Sequence, residues 1–382
     1  MATLYLPEVT WDCLRRLRAG NPQPVVKAAA ALIEAGKLQA GADLLAPAVN
    51  RPDPHPTAIL ALALIAYMAY DYDLCVSLAA DAKQRGAPPA ALSLAGAAHI
   101  CQGRLPQAVS VLREALHVDP GLHCAHALLW TALDHLGRLP DVLAAAKRRL
   151  ARVPSAAPPA DARRVEIEDT TLCIVDCVNH VLAARALTLS MRGCSFRQVK
   201  FISDAPCDVP GVDNVAIAPL RSAAAYSRFI AKDLLAHIDT DYALIIQWDG
   251  YVTSPSSWSP EFLLHDYVGA RWSNDFERRE AHHNVGNGGF SLRSRALLEA
   301  LQDPAISDLH PEDGAICRRY RSYLEERHGI VFAADDMADR FSFEHIPPAG
   351  ATFGFHGPTN LGRFVGTDDW AALDFFFSAD RG

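Results

Sequence analysis

A tetrapeptide, Gly103-Arg104-Leu105-Pro106, returns 34 residues later as Gly137-Arg138-Leu139-Pro140, and Pro120 and Pro154 are separated by the same 34. The segments between them are rich in Ala and Leu, with apolar residues at steps of three and four, the period of an amphipathic helix. A repeat of this length holds two such helices and a turn. One hairpin cannot bury its apolar face alone, so the period forces the chain to stack its hairpins into a continuous core with a curved groove. The best copy puts Gly96, His99, Ala108, Leu112, Ala115 and Pro120 at small, bulky, small, bulky, small and proline positions. One period back, Ala69-Tyr70-Asp71-Tyr72 takes the turn, and Gly36-Lys37-Leu38 the turn before it, with a slip of one residue. Four hairpins are expected, at 22–50, 57–86, 90–119 and 122–152, the outer ones degenerate.

This pattern resembles the tetratricopeptide repeat, whose stacks bind a peptide or protein, pair two copies of a chain into a dimer, or buttress a neighbouring domain. His99, His123, His126 and His135 have no cysteine or carboxylate pattern around them and read as surface or groove residues of the helices. The run at 153–160, rich in Pro and Ala, reads as a linker. The expected division is a helical repeat domain at 1–155, a linker at 156–165 and a second domain at 166–382.

Charge separates the two parts as well. Residues 1–160 carry 15 Lys/Arg against 12 Asp/Glu, and the remainder 21 against 32, within a net charge of -8. Neither part is basic enough for a nucleic-acid face. Nine cysteines, an odd number without a Cys-x-x-Cys pair, read as small buried side chains in a reducing compartment. The N-terminus lacks the basic start and apolar core of a secretory signal, and the apolar stretch 58–68 is too short to span a bilayer. A soluble cytoplasmic protein is expected.

Beyond residue 165 the texture changes. Short β-branched runs at 171–178, 198–203, 212–218 and 241–246 alternate with helical segments that end near 192 and span 223–237. That alternation predicts an α/β domain with a mostly parallel sheet, and the run at 241–246, apolar on both faces, is its buried middle. This strand runs into Gln247-Trp248-Asp249-Gly250. Ligands bind outside the carboxyl ends of such strands, where an aspartate before a glycine turn can hold a cation. Val285-Gly286-Asn287-Gly288-Gly289-Phe290-Ser291-Leu292-Arg293-Ser294 bares its backbone to close approach, yet matches neither classical nucleotide loop. Glu312-Asp313 at a helix start serve either as caps or as a general base. His356 stands in Phe353-Gly354-Phe355-His356-Gly357 after an apolar strand; an Asp and a His from distant strands suit Mn²⁺ shared with phosphate oxygens.

Together these four motifs, with Tyr226-Ser227-Arg228-Phe229, resemble a bacterial domain family catalogued without a function and related to GT-A glycosyltransferases, over residues 168–366. The resemblance implies a GT-A (Rossmann-like) α/β fold and a metal-dependent transfer of sugar from a nucleotide-diphosphate sugar, a UDP-sugar foremost, to an acceptor hydroxyl with inversion. The glycine loop and late His-Gly are similar to the beta-1,4-galactosyltransferase pattern. Carried over, Asp249 and His356 hold Mn²⁺ or Mg²⁺, Asp313 is the base with Glu312 the second choice, and Gly288 and Gly289 line the sugar. Gln247, Trp248, Gly286 and Asn287 belong to the same donor-side motifs, and Arg228 and Lys232 are candidates for the diphosphate.

Two features depart from that pattern: Gln247 stands where relatives carry an aspartate, and the carboxylates lie over twenty residues beyond the glycine loop. Trp248 reads as core packing; Trp272 is a candidate for stacking on a sugar or base. His282-His283-Asn284 read as a solvated loop, and Arg318, Arg319 and Arg321 as a basic helix surface. The repeats are expected to recruit a protein or peptide acceptor. The alternative is a non-catalytic repeat scaffold carrying a degenerate GT-A domain.

Overall fold

The computed structural model describes residues 7–18, 23–119, 122–151, 164–272, 284–346, 348 and 350–363. The expected linker as far as residue 163, His282, His283 and the residues beyond 363 lie outside these, while Val165, expected in the linker, opens a strand. Two compact units emerge, one ending at Ala146 and one beginning at Lys147.

In the first unit the helices pair as Pro24–Glu34 with Leu38–Val49, Pro56–Met68 with Tyr72–Gln84, Ala90–Cys101 with Leu105–Val118, and His123–His135 with Leu139–Leu150, whose last four residues lie past the boundary. Each pair turns in the same way. Gly36, Gly103 and Gly137 take φ of 69°, 70° and 69°, and Tyr70 takes the equivalent place at 63°. The next amide bonds back across the helix end, as in Lys37 N to Leu32 O, Asp71 N to Ala66 O, Arg104 N to His99 O and Arg138 N to Leu133 O. These are left-handed helix caps that satisfy the last free carbonyls. The one-residue slip therefore falls between the second and third turns.

Gly96 is where two helices of a pair meet most closely: a Cβ there would stand 2.5 Å from Leu112 Cδ2. His99 and His126 are buried, at 8% and 6% exposure, which removes the surface half of the surface-or-groove expectation for these two. Burial depresses the His99 pKa.

A further helix, Pro7–Arg18, precedes the pairs and was not expected. It packs against the first helix of each of the four pairs. Val9, Cys13, Leu14 and Leu17 form its buried face. Asp12, 6% exposed, is held there by Arg15, Arg16 and the Cys124 thiol. Helix Ala90–Cys101 is consequently buried from Ala90 to Ile100, because neighbours cover it on every side.

The second unit is built on a six-stranded sheet in the order β3-β2-β1-β4-β6-β5. The strands are β1 (Val165–Val175), β2 (Cys194–Ser203), β3 (Asp213–Ala216), β4 (Tyr242–Ile246), β5 (Tyr267–Gly269) and β6 (Phe290–Ser294). β1 to β4 are mutually parallel, while β6 runs antiparallel to both β4 and β5. One face packs Cys173, Val175, Ile202 and Ile245 against Phe229, Ile230, Leu234, Leu297 and Leu298. The segment expected as one helix at 223–237 is Ala223–Arg228 followed by a π turn, Phe229–Asp233, and a 3₁₀ turn, Leu234–His237. A small parallel pair, β7 (Ser342–Phe343) and β8 (Gly354–Phe355), completes the unit. All nine cysteines are free thiols, and no described helix is long and apolar enough to cross a membrane.

Candidate active site

Strand order alone places the site. From β1 the chain steps outward to β2 and β3, then returns to the other side of β1 as β4, so the connections part between β1 and β4. Ligands of open α/β sheets settle at that parting, outside the carboxyl ends. Gln247 and Asp249 follow β4 there. Because β6 is antiparallel, its beginning lies beside the end of β4, with Phe290 opposite Ile246, so the glycine loop arrives at the same edge. The short pair does the rest. Phe343 lies opposite Phe355, and the next residue of each strand, Glu344 and His356, therefore stand side by side.

A cavity of about 480 Å³ opens here, lined by Gln247, Asn287, Gly288, Gly289, Asp313 and His356 among others. His356 is its hub. Nδ1 lies 3.0 Å from Glu344 Oε1, and Nε2 lies 3.2 Å from Gln247 Oε1 and 3.4 Å from Asp249 Oδ1. Asn287 ties the cluster, its amide 2.6 Å from Glu344 Oε2, while its own oxygen accepts from the amides of Gly289 and Phe290. Burial alone would lower the His356 pKa, but the Asp249 and Glu344 carboxylates lift it well above the ordinary value. Burial works against Glu344 too, and the charge of His356 overrides it, holding Glu344 down to about 2.

Across the cavity, Glu312 and Asp313 open a helix but divide their tasks. Glu312 is 6% exposed, and its Oε1 lies 3.3 Å from the fully buried guanidinium of Arg293. Ser227 links it through a 2.9 Å bond to His310. Asp313 has no such cation. Burial first, and the charge of Glu312 second, push it up to about 6. A carboxylate with that pKa is suited to take a proton near neutral pH.

Side chains of the site also press close on the glycine loop. A Cβ at Gly286 would overlap the Trp272 indole, and one at Gly289 the His356 ring. One at Gly288 would stand 2.6 Å from Glu312 Oε1 and 3.1 Å from Asp313 Cβ. The backbone is bare so that the protein's own site side chains can close on it.

The structure thus brings together Gln247, Asp249, Gly286, Asn287, Gly288, Gly289, Glu312, Asp313 and His356. Three expected residues stand apart. Lys232 donates to the carbonyls of Leu301 and Asp303, where free carbonyls at a helix end satisfy its ammonium. Arg228 is exposed, and Trp248, half-buried, does not line the cavity. Trp272 does line it, and so does Arg318, which leaves the basic helix surface expected for it. Glu344 and Arg293 were not foreseen.

Asp249 is 5% exposed and its Oδ1 lacks a hydrogen-bond partner. A partnerless buried carboxylate oxygen 3.4 Å from an imidazole nitrogen, whose other nitrogen a carboxylate holds, is a mixed O and N donor pair of the kind a divalent cation takes once the imidazole gives up its proton. Among the described residues no three His, Cys, Asp or Glu converge on one point. Asp249 and His356 are thus two candidate donors, fewer than the four of a closed structural centre.

Residues 211–356 match the model of a family described as a protein of unknown function (DUF5672), a span that contains three of the four motifs whole and the fourth as far as His356. No curated protein matches the chain. Among solved structures, MamA MSR-1 C2 is 21% identical, with 34% of this chain and 78% of that one covered and a TM-score of 0.28. A mutant of the Thermobaculum terrenum O-GlcNAc transferase is 17% identical, with 59% and 45% covered and a TM-score of 0.28.

Proposed function

We propose that the second unit is a metal-dependent glycosyltransferase that takes a sugar from a nucleotide-diphosphate donor, a uridine one foremost. One observation carries this reading: at the sheet's switch point a histidine held by a second carboxylate and a separate carboxyl raised to about 6 line one cavity, with a strand-end aspartate 3.4 Å from the histidine. Asp249 and His356 would hold Mn²⁺ or Mg²⁺. When bound, such an ion supplies Lewis-acid neutralisation of the charge that develops on the leaving diphosphate.

Glu344 keeps the His356 ring turned so that Nε2 faces Asp249. Gln247 spans the two halves of the site, its amide donating to the Tyr226 hydroxyl at 3.0 Å while its oxygen faces His356. That double tie gives the neutral side chain a positioning task at the place where relatives carry an aspartate. Asp313 takes the acceptor's hydroxyl proton as that oxygen forms its bond to the anomeric carbon. The bond from that carbon to the diphosphate oxygen breaks, and the electron pair leaves with the nucleotide. Attack from the opposite face gives inversion, a feature this reading takes from the beta-1,4-galactosyltransferase resemblance. Glu312, paired with Arg293, anchors the helix start and leaves the proton to Asp313. The repeats are the part of the chain assigned to holding a protein partner.

Calorimetry with a panel of nucleotide sugars tests the reading, run with Mn²⁺ and then with EDTA on wild type, Asp249→Ala and the shape-preserving Asp249→Asn. One donor should bind only with metal, and both variants should lose it. A folded wild type that binds no donor would remove the transferase reading in favour of the scaffold.

A further inference from the structure

The cavity has a second charged pole that the proposed transfer leaves unused. Arg318 belongs to the π turn Ala315–Arg319, and its guanidinium lies over the Trp272 ring, 4.2 Å from the centroid. Both side chains line the cavity. The neighbouring arginines are paired, Arg319 with Asp308 and Arg321 with Glu325, but among the described residues Arg318 has neither an ion pair nor a hydrogen bond. Glu312 is engaged with Arg293, and Glu344 and Asp249 with His356, while Asp313, which also lines the cavity, makes no described ion pair with Arg318. A guanidinium held over an indole, with no described polar partner, keeps its N–H fork available to a carboxylate or phosphate in two parallel bonds.

The glycine loop tells where this pole stands. Gly286 abuts Trp272, Gly288 abuts Glu312 and Asp313, and Gly289 abuts His356. Three residues of chain reach about 10 Å at most. The Arg318–Trp272 pole, the proton-accepting Asp313 and the Asp249–His356 pole therefore follow one another within the length of a small ligand pair. A donor diphosphate is served at the His356 end, so the Arg318 end falls on the acceptor's side of Asp313.

We propose that Arg318, steadied by Trp272, binds an anionic oxygen group on the acceptor, which is accordingly a hydroxyl compound carrying a carboxylate or a phosphate. The assignment to the acceptor rests on the transferase reading; the anion site does not.

Three hexoses of one ring size test it by titration of the full chain: glucose, glucuronate and glucose 6-phosphate. At least one charged hexose should bind ten times or more tightly than glucose, and added salt should erode the difference. Arg318→Gln should bring the preference to twofold or less, and Arg318→Lys, a point charge without the fork, should fall between. Because Arg318 makes no described ion pair or hydrogen bond, and its one described contact is with Trp272, both variants should melt within about 3 °C of wild type. The two charged hexoses distinguish a carboxylate from a phosphate. A parallel titration with UDP and Mn²⁺ locates the anion, since Arg318→Gln should leave UDP affinity unchanged. A tenfold fall there would assign Arg318 to the donor diphosphate and overturn the acceptor assignment. Failure of both charged hexoses to bind, or a preference that survives Arg318→Gln, would overturn the site. If no nucleotide sugar binds while the Arg318-dependent preference persists, the transferase reading falls and the anion site stands.

Discussion

Gly288→Ala is the smallest change that reaches both carboxylates of the helix start. The new methyl would lie 2.6 Å from Glu312 Oε1 and 3.0 Å from Arg293 Nη2, against the 3.4 Å at which ordinary contact begins. Something must yield by about 0.8 Å on the Glu312 side. Neither neighbour is a loose end, since Arg293 is fully buried, Glu312 is 6% exposed, and their contact is already 3.3 Å long. Wedging them apart removes a charge-assisted bond worth roughly 1.5–3 kcal/mol and adds overpacking of about 1–3 kcal/mol. With partial relaxation, a loss of roughly 2–4 kcal/mol is expected, a fall of about 5–15 °C in the melting of the second unit.

Asp313 Cβ is a third neighbour, at 3.1 Å, so the base shifts with the wedge. Misplacement by about 1 Å costs on the order of 100-fold in turnover. Differential scanning calorimetry and initial rates with the donor identified by calorimetry measure the two effects. Gly350→Ala, where a Cβ would meet nothing within 4 Å, is the control. A Gly288→Ala protein that melts and turns over like the control would refute the close-approach account of the loop.

Two further outcomes follow from the same cluster. With Asp313 at about 6 rather than 3.8, kcat/KM should fall about tenfold per pH unit below pH 6, and Asp313→Asn should abolish turnover. Stability has the opposite sign: the folded carboxyl holds its proton more tightly than the unfolded one, so its contribution is full below about pH 4 and is lost as pH rises through 6. Urea midpoints between those limits should therefore decline in wild type more than in Asp313→Asn, and parallel declines would contradict the raised value. Arg293→Met should cost about 3–5 kcal/mol by stranding a buried Glu312, and adding Glu312→Gln should restore much of it, read from the same midpoints. A double variant as unstable as the single one would show that the pair is not the cause.

The repeats were legible because the turn glycines recur: a left-handed cap needs Gly, and Gly36, Gly103 and Gly137 mark the period even where Tyr70 replaces one. Helix Pro7–Arg18 has no second copy in the sequence to align with, so periodicity is blind to it. In the second unit, four motifs named most of the cavity because each follows a strand end that the sheet brings to one edge. Glu344 escaped because only the register of two two-residue strands sets it beside His356, twelve residues away, and no local pattern encodes that pairing. Arg293 did leave a signal: an arginine inside a wholly buried strand, Phe290–Ser294, requires a buried partner, which proved to be Glu312. Lys232 misled because a basic residue near a ligand edge serves a helix end equally well.

Helix Pro7–Arg18 also sets terms for any protein that would use the repeats. It rests on the first helix of every pair, covering that face, and a short stretch of the same chain joins it to them. Such a tether gives a local concentration on the order of millimolar. A competing helix at about micromolar concentration must therefore bind that face roughly a thousand times more tightly than the resident before it displaces half of it. Partners of ordinary affinity are left the outer faces of the stack.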